Sequence, residues 1–142
     1  MNKEITGRVL SCVLIASAFG WGISAAGIFA SWDFVVDQLN GLGGDVSGDP
    51  MLNYWFRMTA VAFTFIGCHF LYLSIKPETK IVQLKIAAFF KLVLGVVLLF
   101  YWAKLKLFII PCGVDALFCL AAGGSILLCV FKIDKGAKAD YE

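Results

Sequence analysis

Arg57, His69, Lys91 and Asp115 carry the chemistry that stands out in this sequence, because each sits inside a long apolar stretch. A charge in hydrocarbon is costly, so such side chains pair with each other, bind something or line a pathway. Spacing sorts the four into two groups. Arg57 lies one turn into the second apolar stretch. Asp115 lies four residues past Pro111, about 6 Å into the fourth at 1.5 Å per residue. Both fall near the same membrane face, so Arg57 and Asp115 are expected to form a structural ion pair, with a binding site at the same two residues as the alternative. His69 and Lys91 fall nearer the other face, both roughly 9–15 Å deep by helix rise. They form a second candidate polar site within the membrane. No carboxylate is expected at their depth. Lys91 is then free to snorkel toward the inner interface, and His69 to bond a neighbouring helix. A proton relay or a contact to a quinone headgroup is the functional alternative.

Other chemistries are disfavoured. The cysteines are Cys12, Cys68, Cys112, Cys119 and Cys129, and no two form a C-x-x-C. A membrane thiol-disulfide enzyme needs a close reactive pair. Cys112 and Cys119 share a helix face but stand about 10 Å apart along it, too far for a bond. All five read as small apolar fillers. The single histidine cannot ligate a haem on both sides within one chain, and it lacks the companions of a zinc site. No serine sits in a nucleophile motif with a base. The glycine- and aspartate-rich stretch at 41–57, GLGGDVSGDPMLNYWFR, invites a ligand-loop reading. Asp45 and Asp49 would repel a phosphate. A calcium loop beginning at Asp45 would need glycine where Pro50 stands and an acid where Phe56 stands. No metal, no cofactor and no catalytic residue is assigned, and an enzyme is disfavoured.

The elements that must position these residues are plain. The chain has 142 residues, is 61% hydrophobic and 15% charged, and has a mean hydropathy of +0.87. Ordinary soluble domains are nearer half apolar and about a quarter charged. Apolar stretches at 9–32, 54–75, 81–102 and 111–131 each exceed the ~20 residues that cross a ~30 Å hydrocarbon layer as a helix. The expected fold is all-α: a single domain, 1–142, forming an integral membrane four-helix up-down bundle. Val35, Val36, Leu39 and Leu42 recur at helical spacing opposite Asp33, Asp37 and Asn40. That pattern predicts a short extracytoplasmic amphipathic helix within the outer loop, 33–53. Gly41, Gly43 or Gly44 would end it, and Asp49-Pro50 would start the next crossing. Pro111 suits the first turn of helix 4, with residues 104–110 as the other outer hairpin. The N-terminal run resembles a secretory signal, with Ile23-Ser24-Ala25-Ala26 as a cleavage-like site, but it is too long for a signal core.

Eight of the twelve basic residues flank one side: Lys3, Arg8, Lys76, Lys80, Lys85, Lys132, Lys135 and Lys138. The positive-inside rule puts both termini in the cytoplasm. Trp32, Tyr54, Trp55, Tyr101 and Trp102 mark the other interface independently. The basic residues form flanks, so no nucleic acid is expected as a partner. Ala18, Gly22 and Ala26 make a small-residue stripe that serves helix packing within the chain or an oligomer. Asp115, Cys119, Ala122, Ile126 and Cys129 share one stripe of helix 4. Ala87, Ala88, Lys91 and Gly95 share one of helix 3. Both stripes are expected to face the bundle interior.

Asp49-Pro50, then Tyr54-Trp55-Phe56-Arg57-Met58-Thr59 and Ala62-Phe63-Thr64-Phe65-Ile66-Gly67, resemble small four-helix bacterial membrane proteins of DoxX-like layout. The resemblance covers most of the chain as architecture, and residues 49–67 and 115–124 as motifs. It implies an inner-membrane protein linked to quinone oxidation or oxidative-stress complexes, and carries no catalytic residue across. The expectation is a non-catalytic accessory or interaction subunit in the lipid bilayer, with a membrane-protein partner or as a homo-oligomer. The alternatives are a redox-associated protein with a quinone or lipid pocket between helices, and a minimal small-molecule transporter.

Overall fold

Asp49 ends the loop by accepting a hydrogen bond from the Met51 amide at 2.9 Å, with Pro50 locked into the first turn behind it. A carboxylate at the N-cap and a proline at N1 together satisfy and preorganise a helix start. Such local signals delimit the elements in the computed structural model, which describes residues 3–42, 45–46, 48–105 and 109–139. The helices are α1 (Lys3–Gly22), α2 (Ala26–Phe29), α3 (Trp32–Gly41), α4 (Pro50–Ser74), α5 (Ile81–Leu105) and α6 (Ile109–Ala139). One 3₁₀ turn, Ile23–Ala25, joins α1 to α2, and another, Pro77–Thr79, precedes α5. The described residues contain no strand. Four spans are long and apolar enough to cross a membrane: Ile5–Phe29, Pro50–Ser74, Ile81–Lys104 and Gly113–Asp134.

The spans run longer than the apolar stretches read from sequence. α6 continues well past Phe131, because Ile133 is still buried and Asp134 pairs with Lys85 at 3.1 Å. α1 starts before Val9, because Thr6 and Leu10 are already packed. The amphipathic α3 follows its expected face in part: Val35 is buried, Val36 and Leu39 are half-buried, and Asp33 and Asp37 are exposed, but Leu42 at the end is exposed too. Ser31 caps the start by accepting from Phe34. α3 ends at Gly41. Gly43 and Gly44 lie outside the described residues. The glycine-rich loop is closed from within, since the Asn40 amide both donates to the Val46 carbonyl (3.2 Å) and accepts from its N–H (2.7 Å). α6 begins two residues before Pro111, and residues 106–108 of the expected hairpin lie outside the described residues.

Glycine and alanine set how closely the spans approach. A Cβ on Gly67 would lie 3.1 Å from the Ala18 carbonyl and 3.3 Å from the Gly22 amide, so two of the three stripe residues pack on α4 within the chain. Gly95 faces Ala116 and Leu120, while Gly123 faces Ala88 and Leu92. The contacts therefore step in opposite directions along α5 and α6. α6 packs on α5 and on α1, and α1 packs on α4. α4 and α5, although consecutive, leave a groove between them lined by Phe65, His69, Gln83 and Phe90. The main core gathers Leu10, Leu14, Phe70, Leu73, Leu84, Ile126 and Val130.

Candidate functional site

Lys91 is completely buried, and its ammonium has no hydrogen-bond partner. It sits on the Ala87, Ala88 and Gly95 face of α5, the interior stripe expected from sequence. Aromatic rings surround its Nζ: Phe118 at 4.6 Å to the ring centroid, Phe70 at 5.1 Å and Trp21 at 5.3 Å. Ring faces attract a cation by about 0.5–2 kcal/mol. They do not replace the hydrogen bonds that an ammonium loses on leaving water. The Trp21 indole N–H is likewise buried and unpartnered, and Ser17, one turn below it, has an unpartnered hydroxyl.

Lys91, Trp21 and Phe118 border a cavity of about 150 Å³. α1 supplies Gly20 and Trp21, and the 3₁₀ turn supplies Ser24. Phe63 comes from α4, and Lys91, Leu94 and Leu98 come from α5. Asp115, Phe118 and Cys119 come from α6. Trp21 and Phe63 meet edge to face at 4.6 Å, which fixes the indole as a wall. Asp115 differs from Lys91 in being solvent-accessible, so it forms the rim while the lysine forms the floor. The Gly95 and Gly123 contacts put Leu120 across from Lys91. Asp115 then lies about 7 Å further along the axis by helix rise.

The pairing expected from sequence is therefore rearranged. Arg57 does not turn to Asp115. Its guanidinium donates to the carbonyls of Gly27 (3.2 Å), Ile28 (2.6 Å) and Ala30 (2.8 Å), and to Asn53 Oδ1 (2.9 Å). Ala30 leaves the helix with φ −63° and ψ 147°, so the last carbonyls of the first span have no amide above them. An arginine at a helix C-terminus satisfies them and meets the negative end of the dipole. The second expected grouping separates as well. His69 is exposed, stacks on Tyr72 at 6.2 Å and lines the α4–α5 groove. Lys91 lines the cavity, and Phe70 stands between the two. Lys80 repeats at the end of α4 what Arg57 does at the first span: it donates to the Tyr72 and Ile75 carbonyls and lies over the Tyr72 ring.

Sequence reasoning did not find Trp21 or Phe118 as site residues. One signal was available: Trp21 lies in the middle of its span, whereas tryptophans of membrane helices gather at the ends. Among the described residues no group of three or more His, Cys, Asp or Glu could hold a metal. Comparison with known protein families, with characterised proteins and with solved structures finds no match.

Proposed function

We propose that this chain is a multi-pass inner-membrane protein that binds a small polar molecule between its helices and does not transform it. Its four spans run up and down, with both termini in the cytoplasm and α3 at the outer surface. The observation that carries this reading is the unpartnered ammonium of Lys91 at the floor of an aromatic-walled cavity. A concave, mostly apolar site with a few convergent polar groups is the usual form of a small-molecule pocket. Burying a cation costs several kcal/mol, an expense that packing alone does not require when leucine would fill the space.

A second reading is supported by the α4–α5 groove. It is almost wholly apolar, about 560 Å³, and edged by His69. A quinone ring or a lipid chain suits it, in keeping with the DoxX-like resemblance at residues 49–67. On that reading the protein is a redox-associated or accessory subunit with a membrane partner.

Lys91→Met separates a binding lysine from a structural one. A lysine kept for binding is replaced by methionine with unchanged or higher thermal stability in detergent. A loss of about 3–5 kcal/mol on replacement, the size seen when a buried charge interaction is broken, would make the lysine structural and refutes the proposal.

A further inference from the structure

The two charges of the cavity do not touch each other, and that gap says what its occupant must look like. Lys91 Nζ has no hydrogen-bond partner, so no carboxylate oxygen lies against it. Asp115 borders the same space from α6, yet it is offset along the axis. Five residues separate Asp115 from Leu120, the position opposite Lys91, or about 7 Å of helix rise. Two buried, unpartnered donors lie near each other behind the cavity wall: the Lys91 ammonium, 5.3 Å from the centre of the Trp21 ring, and the Trp21 N–H itself. Both must turn toward the space to meet an occupant. The acceptor, Asp115, is exposed at the rim. Between them run the apolar walls of Phe63, Leu94 and Phe118.

We propose that the cavity takes a small zwitterion, a compact molecule with an acid at one end and an amine at the other. This deepens the pocket reading above and rests on it. The acid accepts from Lys91 and Trp21. The amine meets Asp115. An acid alone would satisfy Lys91 but would bring its charge toward the Asp115 carboxylate. An amine alone would pair with Asp115 and leave Lys91 unpartnered beside a second cation. Only a molecule with both charges satisfies both ends, and charge-assisted hydrogen bonds are the stronger kind. Size agrees: a cavity of about 150 Å³ holds a molecule the size of benzene, so roughly six to eight non-hydrogen atoms.

The test is thermal unfolding of the whole protein in nanodiscs with a series of ω-amino acids, from glycine to 5-aminopentanoate. Butyrate and butylamine serve as one-charge controls. A bound ligand raises the melting temperature by mass action. The expected result is a rise of several degrees for at least one member of the series, at tenfold lower concentration than either control needs. Lys91→Met and Asp115→Asn each abolish the rise. If butyrate stabilises as well as any amino acid and Asp115→Asn changes nothing, the zwitterion is wrong while the pocket stands. If no amino acid shifts the transition, the zwitterion is overturned. The pocket itself falls if Lys91→Met also proves strongly destabilising.

Discussion

Arg57 and Lys91 are both cations in apolar surroundings, and they meet the cost in opposite ways. Arg57 donates to three carbonyls and one amide oxygen. Lys91 donates to nothing. Arg57→Gln is expected to lower stability by about 2–3 kcal/mol, the scale of hydrogen bonds to charged groups, read as a fall in melting temperature. A double-mutant cycle with Asp115→Asn is expected to be additive to within ~0.5 kcal/mol, as for independent sites. Strong coupling would restore the ion pair that their shared depth suggested. The face was legible in the sequence: the period of Ala87, Ala88, Lys91 and Gly95 put the lysine inside, where it is. The partner of Arg57 was not legible, because backbone carbonyls at a helix end have no letter of their own. His69 was grouped with Lys91 by depth alone, and depth does not reveal that Phe70 intervenes.

At the scale of elements, glycines decide which spans can close on each other. A Cβ on Gly123 would lie 3.0 Å from Leu92 and 3.1 Å from the Ala88 carbonyl. Backbone cannot yield there as a side-chain tip can. Gly123→Ala is therefore expected to destabilise by about 1–3 kcal/mol and to disturb the α5 wall of the cavity. Its neighbour Gly124 has nothing within 4 Å of a Cβ. Gly124→Ala is expected to be neutral or stabilising by up to about 1 kcal/mol, the helix-propensity gain. Equal costs for the two would contradict the close α5–α6 approach. The number and approximate bounds of the spans followed from apolar length, and α3 from its periodicity. Which span lies beside which did not follow. Short connections suggested that consecutive spans pack together, yet α4 and α5 leave a groove while α1 packs on α6. The cavity exists because of that arrangement, so its walls could not be assembled from the sequence.

The whole molecule presents oil outward. Phe29 is 88% exposed, Phe65 73% and Phe19 71%, and such a surface suits lipid as solvent. If the termini are cytoplasmic, a reporter active only outside the cell stays silent when fused at the C-terminus and works when inserted at Asp45. The reverse pattern would invert the topology. If Lys91 holds an occupant, native mass spectrometry of the protein taken from its own membrane in mild detergent, wild type beside Lys91→Met, will detect it. A small bound species is expected on the wild type and is missing from an equally well-folded variant. Identical adducts on both proteins, or none on either, would show that Lys91 holds nothing.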